Sequence, residues 1–174
     1  ILGGDEMWRT QRGNNNTYNL DNAANWLDWT AGAEHGDFRA FTSGVFAMRH
    51  AHPALRPKRH FDGKDHDGNG LLDVALLGAN GEGAGDALFD AGQRFLALRL
   101  DGEEAKDPAR SIYVAYHWGF APRTARLPAP AAGRSWRLAA SSATGVVQPP
   151  GAEPAHQGLD VSIPARSVVV LVER

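Results

Sequence analysis

The run 167–174, "SVVVLVER", sets five apolar side chains in succession near the end of the chain. Successive side chains of a β-strand point to opposite faces. An extended segment of this composition needs apolar cover on both sides, the environment of a central strand in a layered structure. Two other runs alternate with period two. Leu96, Leu98 and Leu100 alternate with Ala97, Arg99 and Asp101, and Ile112, Val114, Tyr116 and Trp118 alternate with Tyr113, Ala115 and His117. Weaker strand signals fall at Val74–Leu77, 124–128, 136–140, Val146–Val147 and 159–163. Eight of the ten prolines lie beyond Pro57, among glycines that break these runs. Seven or eight short strands separated by such turns predict an antiparallel β-sandwich.

Before Pro57 the chain reads differently. Residues 37–51 have helical periodicity, with Phe38, Phe41, Val45 and Met48 on one face. Asp37 suits the N-cap, Arg49, His50 and His52 suit the negative end of the helix dipole, and Pro53 ends the segment. The opening tetrad "ILGG" reads as a small apolar strand. The net charge of -2 and the absence of a Lys/Arg run leave no electrostatic footprint for nucleic acid. No apolar run approaches the roughly 20 residues of a membrane helix. Cysteine is absent, which excludes disulfides and thiolate chemistry but leaves the compartment, cytoplasmic or secreted, open. An opening of "ILGGDE" without an initiator Met reads as a piece of a longer protein, from which any targeting peptide has been lost.

Residues 5–29, "DEMWRTQRGNNNTYNLDNAANWLDW", hold three of the five tryptophans and six of the eight asparagines. Asn disfavours helix and strand interiors because its amide competes with the backbone for hydrogen bonds. Flat apolar rings beside two-way hydrogen-bonding amides suit a sugar, which offers a ring face and hydroxyls. This stretch, with its Gly3–Gly4 lead and the following helix end "AMRHAHPALRP", resembles the isoamylase-type debranching enzymes of the α-amylase superfamily. "DAGQRFLALRLDG", "SIYVAYHWG" and "SWRLAASS" fit the same family's C-terminal domain. The wording "YNLDNAANW" is more similar to bacterial isoamylases than to glycogen-operon debranching enzymes.

The resemblance implies a mainly β chain in two parts. Residues 1–57 would be the eighth strand, active-site loop and eighth helix of a catalytic (β/α)8 barrel, and residues 58–174 an all-β C-terminal sandwich. It implies a parent enzyme that hydrolyses α-1,6 branch linkages of glycogen or amylopectin, with branched α-glucan as its partner and no required cofactor. The alternative is a non-catalytic carbohydrate-binding β-sandwich. By resemblance, Gly4, Asp5, Glu6, Arg9, Asn14, Asn15, Asn16, Tyr18 and Asp21 border the glucan cleft. The asparagines have two open roles, closing Asx-turns or touching sugar, and Arg9 has the further role of a strut to Asp5, Glu6 or Asp21. Trp8 and Tyr18 are the stacking candidates, while Trp26 and Trp29, three residues apart, read as helix-packing residues.

Retaining glycoside hydrolysis needs two carboxyls about 5–5.5 Å apart across the scissile bond. Asp5 and Glu6 are adjacent and, in an extended chain, point to opposite sides. The family's nucleophile, acid and transition-state-stabilising carboxylates lie on earlier barrel strands, so the resemblance places no catalytic residue here and implies a chain inactive alone. If barrel strands are missing, the helix face from Phe38 to Met48 must find other cover, against the sandwich or by self-association.

"DHDGNGLLD" stands outside the resemblance. Asp65, Asp67, Asn69 and Asp73 occupy positions 1, 3, 5 and 9 of a calcium loop, with Gly70 at the sharp turn, but Leu76 stands where a bidentate Glu belongs. Calcium and a plain solvated turn are both consistent with it. His50, His52, His60 and His66 do not make a zinc set, since i and i+2 on a helix do not share a face and no Cys completes it.

Overall fold

A computed structural model describes residues 1–174, which divide into two compact units, Ile1–Gly44 and Val45–Arg174. The second is the β unit. Its strands are β1 (Val74–Leu77), β2 (Phe95–Asp101), β3 (Ser111–His117), β4 (Arg123–Arg126), β5 (Trp136–Ser141), β6 (Val146–Val147), β7 (Asp160–Ile163) and β8 (Ser167–Glu173). Every strand read from the sequence in this unit forms within a residue or two of its expected place. Six of them make one antiparallel sheet in the order β1-β2-β3-β8-β5-β6, and β4 pairs with β7 in a second, two-stranded sheet.

The interior position of β8, paired with β3 on one side and β5 on the other, answers to its unbroken apolar run. On one face Val169 and Leu171 join Phe95, Ala97, Tyr113 and Ala115, covered by Ala125, Leu127, Val161 and Ile163 of the β4–β7 layer and its edge. On the other face Val170 and Val172 join Leu100, Ile112 and Val114, covered by Met48, Ala54 and Ala109. The alternating runs of β2 and β3 divide between the same two faces, through the register pairs Ala97↔Ala115 and Leu98↔Val114. The β5–β8 ladder shifts between Leu138 and Ala140. Such a bulge lets Ala139 and Ala140 both be buried.

Gly102 shows why one loop end admits no side chain. A Cβ there would lie 1.9 Å from the Ala109 carbonyl oxygen, because the 102–110 turn closes on hydrogen bonds from the Gly102 amide to the Arg110 carbonyl and from the Asp107 amide to the Gly102 carbonyl.

Tyr113 is fully buried and its hydroxyl has no hydrogen-bond partner. An unpaired buried hydroxyl costs about 1–3 kcal/mol, so Tyr113→Phe should leave the melting temperature unchanged or raise it. Burial also pushes the phenol above its ordinary 10.0. Between that value and the folded one, the unfolded chain releases a proton that the folded chain keeps, so stability falls as pH rises above 10. Urea melts of both proteins at rising alkaline pH should show a smaller loss for the Phe variant. A Phe variant destabilised at neutral pH would mean the hydroxyl has a partner.

The helix expected at 37–51 is α2 (Gly36–Ala51), preceded by the single turn α1 (Ala31–Glu34). Asp37 is therefore not the N-cap. It lies in the first turn, where its carboxylate accepts the Phe38 amide at 2.8 Å. Of the expected apolar face, Phe38, Phe41 and Val45 are half-buried and Met48 is buried. Met48 belongs to the β unit and packs in its core cluster.

The tetrad "ILGG" is not a strand. Residues 1–4 enter a turn, with the Asp5 amide donating to the Leu2 carbonyl and a 3-10 turn following at Asp5–Met7. An isolated extended segment satisfies none of its own backbone groups, and no strand of the chain pairs with this one.

Candidate functional site

The asparagine-rich loop lies wholly in the first unit. Its organiser is Asn25. The Asn25 Oδ1 accepts from the Arg9 guanidinium at 2.9 Å and from the Thr17 hydroxyl at 3.0 Å, while its Nδ2 donates to the Leu20 carbonyl at 3.1 Å. Arg9 is thus a strut, as one of its open roles had it, but to an amide rather than to Asp5, Glu6 or Asp21. Nothing in the spacing marked Asn25 apart from its neighbours. Its role needs two partners, 8 and 16 residues away, brought to one atom.

Asp5 and Glu6 sit in the 3-10 turn, so the extended backbone assumed for them does not form. Each carboxylate is held locally, Asp5 Oδ2 by the Leu2 amide and Glu6 Oε2 by the Gly4 amide, both at 3.0 Å. Gly4 has φ 95° and a Cβ there would meet Leu27 at 2.5 Å, a position that favours glycine on both counts. Asn14 closes an Asx-turn by accepting the Asn16 amide at 2.9 Å. The side chains of Asn15, Asn16 and Tyr18 are exposed, with Tyr18 84% accessible.

Trp8 holds a left-handed backbone, φ 59°, which is uncommon for a bulky residue. One ring face stacks on His35 at 4.5 Å, its edge meets Phe38 at 5.8 Å, and the residue stays 59% exposed. Trp26 and Trp29 depart from the packing role expected of them. Neither is helical and they are 62% and 75% exposed. Asn22 and Asp28 each accept a backbone amide two residues on, and such side-chain bonds compete with helix formation. The Trp26 indole N–H donates to Asp21 Oδ1 at 2.8 Å. Trp8 and Trp26 thereby flank a cleft of about 130 Å³ that Arg9, Arg12 and Asp28 also line. The Thr30 hydroxyl and amide hold Asp28 below its usual carboxylate range. The loop therefore offers two partly open indoles at a small cleft and, elsewhere along it, an exposed phenol and exposed amides.

In the 62–73 loop, Asp73 stands apart from Asp65 and Asp67. Asp65 accepts the amides of Gly68 and Gly70, Asp67 accepts from Asn69, and Asn69 donates to Asp101 at 2.8 Å. The Gly70 amide is the main cause of an Asp65 pKa below the ordinary range. Asp73 is buried, takes the amides of Asp62, Gly63 and Val74, and gathers with Asp62 and His66 rather than with Asp65 and Asp67. Because Leu76 stands where the loop's bidentate carboxylate belongs, we expect the same melting temperature in millimolar calcium and in chelator. An ion bound at 100 times its Kd adds about 2.7 kcal/mol. A rise abolished by Asp65→Ala and Asp67→Ala would assign the loop to calcium.

A family model described as "Isoamylase, C-terminal" matches residues 73–172. The chain is 40% identical to an isoamylase from Flavobacterium sp. over 182 aligned residues, covering all of this chain and 23% of that protein. It is 35% identical to the isoamylase of Pseudomonas amyloderamosa, across 78% of this chain and 16% of the relative. The chain thus spans about a quarter or less of these relatives. Among solved structures, a type I pullulanase from Bacillus subtilis complexed with maltose superposes with a TM-score of 0.69 at 20% identity, covering 99% of this chain and 20% of that one. A pullulanase from Anoxybacillus sp. complexed with maltotetraose superposes with a TM-score of 0.65 at 17% identity, over 98% and 20%. At those identities the likeness concerns the fold. The β unit matches the family model over most of its length and the isoamylase similarity runs through the loop as well, so the chain belongs to the isoamylase C-terminal family, the C-terminal portion of the isoamylase and glycogen-debranching enzymes.

Proposed function

We propose that this chain is the C-terminal portion of an isoamylase-type hydrolase that cleaves α-1,6 branch linkages of glycogen or amylopectin. In this reading residues 1–57 complete the edge of the catalytic barrel, and residues 58–174 form the β domain that follows. The carrying observation is that the similarity to the Flavobacterium isoamylase covers the whole chain, the aromatic loop included. The exposed rings of Trp8, Tyr18 and Trp26 beside free amides supply what a glucan needs, apolar faces for sugar rings and hydrogen bonds for hydroxyls. The Anoxybacillus pullulanase is complexed with maltotetraose, which supports an α-glucan partner for this chain as well.

The chain alone should not release reducing ends from amylopectin, because the paired carboxylates of a retaining site are assigned to earlier barrel strands. Turnover above buffer, abolished by substituting a residue of this chain, would overturn that assignment. In the full-length enzyme Trp8→Ala or Tyr18→Ala should weaken glucan binding by ~1–3 kcal/mol, by analogy with loss of a ring that stacks on a nucleic-acid base. Affinity electrophoresis in glycogen reads it directly. Variants that melt far lower with unchanged retardation would make these rings structural.

A further inference from the structure

The β unit carries a second recess, of about 330 Å³, lined entirely by its own residues. Its lining includes the apolar residues Pro53, Pro57 and Phe61, the last 41% exposed. The lining also includes Arg56, Lys58, Arg59 and Lys106. Of these four, Arg59 alone has a carboxylate partner, Glu104, which also lines the recess. The Arg56 guanidinium is occupied by the Arg49 and His50 carbonyls that end α2. Lys58 and Lys106, from two separate loops, have no carboxylate within ion-pair distance. Asp73 and Asp101 also line the recess, but both are buried and accept internal hydrogen bonds, Asp101 from Asn69 and the Glu103 amide.

Two lysines without ion-pair partners and an exposed aromatic residue in one recess form a specific combination. Lysine binds phosphate as a point charge, an aromatic face takes the apolar face of a sugar ring, and the Glu104 carboxylate accepts from hydroxyls. The volume is at the lower end of small-molecule sites. We propose that this recess binds a sugar carrying a phosphate monoester, with the phosphate between Lys58 and Lys106 and the sugar ring against Phe61. None of these residues belongs to the aromatic loop, so failure here leaves the glucan reading untouched.

Calorimetric titration of the 174-residue chain at low ionic strength with glucose 6-phosphate, inorganic phosphate and maltotriose tests the site. Saturable binding of glucose 6-phosphate is expected, tighter than inorganic phosphate, with no signal from maltotriose at the same concentration. The double variant Lys58→Ala/Lys106→Ala should keep the parent melting curve and lose at least about tenfold in affinity, the scale of one charge-assisted hydrogen bond. Phe61→Ala should weaken glucose 6-phosphate and leave inorganic phosphate unchanged. Absent binding of glucose 6-phosphate, or binding indifferent to both lysines, overturns the proposal. Equal affinity for inorganic phosphate and glucose 6-phosphate overturns its sugar half.

Discussion

Trp136→Ala should lower the stability of the β unit by about 3–5 kcal/mol, the usual cost of emptying a large buried aromatic site. For a chain of this size that corresponds to roughly 6–20 °C in melting temperature. Trp136 is 1% exposed and opens β5. Its ring meets Tyr113 edge-on at 6.0 Å, and its indole N–H donates to the Pro128 carbonyl at 2.8 Å. The residue ties the main sheet to the loop that leaves β4, within the cluster that β4 and β7 cover. Truncation leaves both a cavity and an unpaired carbonyl. Trp136→Phe separates the two, since it keeps most of the volume and loses only the hydrogen bond. It should cost about 1–3 kcal/mol. Thermal or urea unfolding followed by far-UV circular dichroism measures both. A loss below about 1 kcal/mol for the alanine variant, under the range for such truncations, would remove Trp136 from the core.

Glu173→Ala is expected to be the second large effect, at about 3 kcal/mol, the low end for breaking a buried ion pair by removing one partner. Glu173 ends β8 with no accessible surface. Its Oε1 accepts the Ala131 amide at 2.7 Å, and its carboxylate faces Arg99 at 3.4 Å and Arg110 at 3.9 Å. Arg99 and Arg110 are 17% and 18% exposed, so water reaches them in part and holds the cost below the upper limit. Burial pulls the Arg99 pKa down and Glu173 opposes that pull. Without the carboxylate, two half-buried cations would be left facing each other. Glu173→Gln keeps an acceptor for Ala131 and should lose less than the alanine. Urea midpoints order the three proteins. A glutamine variant as unstable as the alanine would show that the charge, rather than the Ala131 bond, dominates.

Most local elements were legible in the residues alone. Period-two alternation placed β2 and β3, the doubly apolar run placed β8 in a sheet interior, and helical spacing placed α2 within a residue of its start. These signals are local because side-chain direction follows directly from backbone periodicity. Features that depend on distant partners emerged only in the folded chain. Pairing of β8 with both β3 and β5, and the separation of β4 and β7 into a second layer, rest on long-range hydrogen bonds that no single run encodes. The buried carboxylate of Glu173 was not legible in an apolar strand, since its partner Arg99 stands 74 residues earlier. In the loop, the amide-and-aromatic composition pointed to the candidate site, but the division of labour within it was settled by contact. Asn25 became the brace, Trp26 opened to solvent beside Trp8, and "ILGG" stayed a turn. A strand forms only where a neighbour accepts its hydrogen bonds, and the exposed Trp26 indole is held through its N–H by Asp21.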